Sequence, residues 1–115
     1  SEDAELLESF FTESDDHLQN IESSILELEN NPSHFEHLNV IFRSFHTIKG
    51  ISGFLNLNDI NFLAHQTESL LEYFLKQKLE VPPRLIEIIL EHTDLMKILI
   101  QETRKRIKCE KSVCV

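Results

Sequence analysis

The sequence predicts an all-α domain built as an up-down-up-down antiparallel four-helix bundle. Apolar residues recur at alternating steps of three and four along four segments, which is the spacing of a buried helix face. Short breaks rich in proline and asparagine separate these segments, and short connections favour antiparallel neighbours. No stretch alternates apolar and polar residues as a strand would. A chain of 115 residues suffices for one core. We therefore expect one domain over residues 1–105, followed by a tail or the start of a linker over 106–115.

The first helix is expected from about Glu2 to Asn30, because Pro32 cannot continue a helix. Ser33 should then cap a second helix over about residues 34–55. The first helix should bury one face, made of Leu7, Phe11, Ser14, Leu18, Ile21, Ile25 and Leu28. The second should bury Leu38, Ile41, Phe45, Ile48, Ser52 and Leu55.

A third helix is expected over about residues 59–78, with Asn58 as its N-cap. Pro82 and Pro83 break the chain again and suit the first turn of a fourth helix, which should run to about Lys105. In this order the first and third helices flank the second. The third helix should bury Ile60, Leu63, Thr67, Leu70 and Phe74, and the fourth Leu85, Ile89, His92, Leu95 or Met96, and Leu99.

The charge of the chain excludes some classes of partner. Its 20 acidic and 11 basic residues give a net charge of −9. Nucleic acid and anionic membrane surfaces both require basic patches, so neither is expected as a partner. The one basic cluster, Arg104-Lys105-Arg106, suits a solvated helix C-terminus, with a partner contact as the alternative. With no membrane-spanning run and no signal peptide, we expect a monomeric, cytoplasmic domain without membrane insertion.

The two cysteines, Cys109 and Cys114, lie in the polar tail. Two cysteines in a cytosolic chain do not predict a disulfide, and a metal site would require further ligands nearby. Their role is not predicted.

The segment from Phe45 to Gly53 carries the chemistry. His46 lies about 100° round the helix from the buried stripe, and Lys49 is one turn further along the same exposed flank. Gly50 and Gly53 follow, although each costs about 1 kcal/mol relative to alanine inside a helix. Bare backbone beside His46 would let a large partner approach, with close helix packing as the other reason for the glycines.

The run His46-Thr47-Ile48-Lys49-Gly50-x-x-Gly53 resembles the signature of histidine phosphotransfer (HPt) domains. More narrowly, it resembles the N-terminal phosphotransfer domain of CheA-type chemotaxis histidine kinases. Residues 63–71, with the sequence LAHQTESLL, are similar to the second active-site helix of that family. Residues 5–14, with the sequence ELLESFFTES, are similar to its first helix.

The resemblance implies that His46 is the phosphorylated residue. It further implies that Glu68 accepts a hydrogen bond from its Nδ1, and that Lys49 and His65 line the site. The expected partners are a histidine kinase catalytic domain and the receiver domain of a response regulator. Since those domains bring ATP and magnesium, this domain should need no cofactor or metal of its own. It would be a phosphoryl carrier without ATP-binding motifs, in a parent protein that is a kinase.

The other histidines have simpler interpretations. His17, His34 and His37 are predicted to be solvated, and His92 to be a hydrogen-bonded residue at the edge of the core. A di-iron bundle is disfavoured, because its Glu-x-x-His motifs would run opposite to His65 and Glu68 and because the buried stripes are apolar. A helical bundle that only binds partners would leave the glycine pair unexplained. A free-standing HPt protein and part of a hybrid kinase both remain open, as do the cognate regulator and the pathway.

Overall fold

Four long helices make up the structure, a computed structural model that describes the backbone of residues 2–113 and the side chains of residues 3–110. They are α1 (Glu2–Asn30), α2 (Phe35–Phe54), α3 (Asn58–Gln77) and α4 (Pro83–Val113). No strand occurs within residues 2–113. The predicted fold class is confirmed. None of the described helices is both long and apolar enough to span a membrane.

Each helix packs against the two beside it, in the order α1, α2, α3, α4 and back to α1. Ion pairs from Lys97 to Glu22 and from Arg104 to Asp15 show that α1 and α4 run antiparallel. The predicted stripes are mostly buried, but six of their members are only half-buried: Leu7, Leu55, Leu70, Phe74, His92 and Leu99. Met96 rather than Leu95 enters the core. The largest fully buried side chains are Phe10, Phe45, Ile21, Ile25, Leu28, Leu38, Ile41, Ile48, Ile60, Leu71, Ile89 and Met96.

The turn between α2 and α3 places the two site helices side by side. Asn56 adopts a left-handed conformation with φ of 59°. Its N–H donates to the carbonyl of Gly53, and the N–H of Leu57 donates to the carbonyl of Ser52. These two bonds make a Schellman motif, in which asparagine takes the place usually occupied by glycine. The motif ends α2 sharply and turns the chain back into α3.

The helix caps differ from the sequence prediction. The N-cap residues of α2 and α3 are His34 and Leu57, and neither forms a side-chain capping hydrogen bond. The prediction of Ser33 and Asn58 as caps was therefore wrong. A backbone hydrogen bond links the two loops at this end of the bundle, since the N–H of Val81 donates to the carbonyl of Pro32. Pro83 opens α4, as predicted.

Helix α4 continues past Lys105 to Val113, so the predicted helix end was wrong. Ile107 extends the buried stripe by another turn and packs against the core. Arg104 lies inside the helix, pairs with Asp15 at 3.2 Å and sits over the ring of Phe11. The basic cluster therefore does not mark a helix end. Cys109 is exposed, and Cys114 lies outside the described residues.

Candidate functional site

His46 projects from the middle of α2 beside α3, and its side chain is 61% exposed. The neighbouring Phe45 is buried, as the helical spacing required. Nδ1 of His46 lies 3.2 Å from Oε1 of Glu68 on α3. The hydrogen bond expected between these two residues is therefore present in the structure.

Among the side chains of residues 3–110, Glu68 is the only buried carboxylate, with 7% of its surface exposed. Burial alone would raise the pKa of this carboxyl group, but the hydrogen bonds from Lys49 and His46, together with Coulombic attraction to both residues, outweigh burial and lower the pKa. Glu68 is thus ionised at neutral pH and can only accept hydrogen bonds. A neutral His46 must then carry its proton on Nδ1, which leaves the Nε2 lone pair for an incoming group.

Lys49 lies one turn beyond His46, with its Nζ 3.0 Å from Oε1 of Glu68 and 2.8 Å from Oε2. Its side chain is 28% exposed. The ammonium group thus neutralises the buried carboxylate, an arrangement that the sequence analysis did not specify. A phosphoryl group on His46 would meet a lysine that already has one anionic partner.

Phe42 supports the ring of His46 from one turn earlier on α2. The two ring centroids are 6.2 Å apart and the planes differ by 22°. This stacked, half-buried ring limits how far the imidazole can tilt. Phe42 was not among the predicted site residues, although its position four residues before His46 places both on one helix flank.

Gly50 opens onto a groove between α1 and α2. A Cβ placed on Gly50 would meet no other atom within 4 Å. The groove has a volume of about 470 Å³ and a largely apolar lining that includes Phe54, which is 74% exposed, and Leu6, which is 42% exposed. A bare backbone at Gly50 therefore leaves the approach to His46 open, as a docking role requires. The full lining is Leu6, Ser9, Phe10, Glu13, His46, Thr47, Gly50, Ile51 and Phe54.

Gly53 has a different neighbourhood, because it faces α3. A Cβ at Gly53 would lie 3.1 Å from Nδ2 of Asn61. That amide donates a 2.8 Å hydrogen bond to the carbonyl oxygen of Lys49. Of the two reasons considered for the glycines, the surroundings of Gly53 favour close helix packing over docking.

Asn61 was also absent from the residues predicted to form the site. A signal was available, because Asn61 precedes Glu68 by two helical turns and so shares its face of α3.

His65 is exposed on α3, one turn before Glu68, and forms no hydrogen bond or ion pair within residues 3–110. Its place in the site stays a prediction.

The other histidines lie outside the site. His92 forms a 2.7 Å hydrogen bond with Thr67, which confirms its predicted boundary role. His17 is not simply solvated, since its Nδ1 lies 3.3 Å from Oγ of the buried Ser44. The rings of His34 and His37 contact each other edge to face.

Comparison with known proteins gives consistent matches. Residues 5–106 match the Hpt domain family. The sensor histidine kinase CheAY of Helicobacter pylori is 38% identical over 100 residues, which are 87% of this chain but 12% of that protein. The chemotaxis protein CheA of Halobacterium salinarum is 34% identical over 96 residues, which are 84% of this chain and 14% of that protein. The chain thus spans about an eighth of the length of these relatives.

Solved structures agree with the sequence matches. The CheA phosphotransferase domain from Thermotoga maritima superposes with a TM-score of 0.79 at 29% identity, covering 86% of this chain and 94% of that one. The phosphorylated P1 domain of CheA3, solved in complex with CheY6 from R. sphaeroides, gives a TM-score of 0.80 at 26% identity. That match covers 86% of this chain and 77% of the other.

Proposed function

The chain belongs to the Hpt domain family, and from that premise we propose that it is the phosphotransfer domain of a CheA-type chemotaxis kinase, with His46 as the phosphorylated residue. The observation that carries this proposal is the bond between Nδ1 of His46 and the ionised Glu68. It commits the ring proton to Nδ1 and leaves Nε2 as the nucleophile on an exposed ring.

In the first step Nε2 attacks the γ-phosphorus of ATP held by a kinase catalytic domain. The bond from phosphorus to the bridging oxygen breaks, ADP leaves with that electron pair, and an N–P bond forms. The imidazole becomes positively charged as its lone pair is used. The carboxylate of Glu68, 3.2 Å from Nδ1, stabilises that charge.

In the second step a carboxylate oxygen of a response-regulator aspartate attacks the same phosphorus. The N–P bond breaks and its electron pair returns to Nε2. The apolar groove beside His46, bounded by Leu6, Phe54 and Gly50, is where we expect the receiver domain to dock. The complex of the CheA3 P1 domain with CheY6 supports a partner of this kind.

The domain acts as a carrier and leaves nucleotide chemistry to its partners. Its site residues are two side chains that position the imidazole, Glu68 and Phe42, and one that neutralises Glu68, Lys49. ATP and magnesium would come with the kinase domain and the receiver domain. The full-length relatives favour a kinase fragment over a free-standing carrier, and we place the parent protein in the cytoplasm.

The proposal is tested by incubating the domain with a CheA-type catalytic fragment and labelled ATP. His46→Gln should abolish labelling, while His34→Gln, an exposed histidine at the start of α2 and outside the site, should retain it. The adduct should be labile in acid and stable in base, as phosphohistidine is. Undiminished labelling of the His46→Gln protein would contradict the assignment.

A further inference from the structure

We propose that Asn61 is a positioning residue for this site, and that Gly53 lacks a side chain so that the Asn61 amide can reach helix α2. This inference rests on the proposed function of His46. Nδ2 of Asn61 donates to the carbonyl oxygen of Lys49 at 2.8 Å. Because a carbonyl can only accept, the bond requires the amide nitrogen of Asn61 and no other side-chain atom.

The bond matters because Lys49 is held to α3 at both ends. Asn61 binds its backbone carbonyl, and Glu68 binds its ammonium group. Asn61 and Glu68 are seven residues apart, which places them two turns apart on one face of α3. The two contacts together fix how far α3 is shifted along α2. That shift decides whether the Glu68 carboxylate lies opposite Nδ1 of His46.

The hydrogen bond between Glu68 and His46 tolerates only a small shift of α3 along α2. A slip of one residue along a helix is a rise of 1.5 Å, whereas a hydrogen bond at 3.2 Å weakens sharply over a few tenths of an ångström. Loss of the Asn61 bond would allow α3 to shift along α2 by a few tenths of an ångström, which the apolar core contacts can absorb. The expected consequence is a mispositioned Glu68 in a folded bundle.

Gly53 provides the space for this contact. An alanine there would put its Cβ 3.1 Å from Nδ2 of Asn61, so the amide would have to shift. Gly50, one turn earlier on α2, has no atom within 4 Å of the same added carbon. The two glycines therefore have separate roles, and Gly50→Ala is a matched control for Gly53→Ala.

The experiment is a double-mutant cycle with Gly53→Ala and Asn61→Ala in the intact domain. The direct readout is ¹⁵N NMR of the His46 ring, which reports the fraction of Nδ1–H tautomer without any kinase. Asn61→Ala and Gly53→Ala should each reduce that fraction and slow phosphorylation by about two- to tenfold. Once Asn61 is alanine, adding Gly53→Ala should cause no further loss. Gly50→Ala should leave the tautomer unchanged.

Two results would overturn the proposal: an unchanged His46 tautomer in Asn61→Ala, or a Gly53→Ala effect of equal size with and without Asn61. If Asn61→Ala impairs folding, Asn61→Ser supplies the same comparison on a folded chain. Asn58→Ala, an exposed asparagine at the start of α3, controls for general loss of helix stability. Failure of the proposed function would appear separately, as persistent labelling of His46→Gln, whatever the NMR result.

Discussion

Thr67 on α3 and His92 on α4 share a 2.7 Å hydrogen bond whose direction is fixed. The single hydroxyl proton of Thr67 goes to the carbonyl of Leu63, at 2.8 Å. Oγ1 must therefore accept at its other contact, and Nδ1 of His92 must donate. Burial lowers the pKa of His92, against a smaller opposing effect of the charge on Glu91. In the folded protein His92 is therefore neutral at pH 7.

The stability of the domain should consequently depend on pH near the ordinary pKa of histidine. Between the lowered pKa of His92 in the folded state and about 6.5 in the unfolded chain, the unfolded state binds more protons. The free energy of unfolding should be at its full value above that range and fall as the pH decreases through it. His92→Gln should flatten this decline between pH 7 and pH 5 in denaturant melts, whereas the exposed His34→Gln should not. Parallel curves for wild type and His92→Gln would contradict the assignment.

Glu68→Gln should separate the positioning of His46 from its nucleophilicity. The substitution keeps the shape of the side chain but removes the charge that stabilises a positive ring. Hydrogen bonds to charged groups contribute about 1.5–3 kcal/mol, so phosphorylation should slow by about ten- to a hundredfold. Helical circular dichroism should be retained, since Lys49 can still reach water. A phosphorylation rate equal to wild type would show that the carboxylate has no part in the chemistry.

Gly50→Ala should stabilise the domain and still impair its output. The added methyl group would have no neighbour within 4 Å, so it causes no steric clash. Because alanine has the higher helix propensity, the free energy of unfolding should rise by about 0.5–1 kcal/mol. The same methyl group narrows the groove in which we expect the receiver domain to dock. Thermal melts should show an equal or higher Tm, and stopped-flow measurements a slower transfer to the regulator. An unaltered transfer rate would move the docking surface away from Gly50.

Arg104→Ala should destabilise the bundle by about 1 kcal/mol. Its guanidinium lies 4.9 Å from the ring centroid of Phe11 and pairs with Asp15, and both contacts are partly exposed. Arg106→Ala, an exposed arginine half a turn further along α4, should change the free energy of unfolding by only a few tenths of a kcal/mol. Equal effects in urea denaturation would show that Arg104 is an ordinary surface residue.

The sequence predicted those features that depend on helical spacing. The bundle, the exposure of His46 and its pairing with Glu68 all follow from periodicity or from the family resemblance. The cap predictions failed, because Ser33 and Asn58 are suitable residue types, yet His34 and Leu57 occupy the N-cap positions of the folded helices. Cap preferences are local, and tertiary contacts override them.

The contacts between helices could not be predicted from one helix at a time. That Gly53 faces Asn61 whereas Gly50 faces open space depends on how α3 is shifted along α2, which no local pattern contains. The length of α4 was underestimated for a similar reason. In the sequence alone, the polar run around Arg104 resembles a helix end. In the structure Arg104 lies inside α4, where it contacts Asp15 and Phe11 on α1.

In the proposed function, the exposed ring of His46 offers one nucleophilic nitrogen, and that nitrogen can bond one phosphorus atom at a time. The protein that loads the group and the protein that removes it need the same atom, so loading and unloading must alternate. Each chain thus has two states, in which His46 is either phosphorylated (full) or unphosphorylated (empty). The number of such domains limits how many phosphoryl groups can be carried at one time. Empty chains that still bind the regulator would delay the full ones by occupying their receiver.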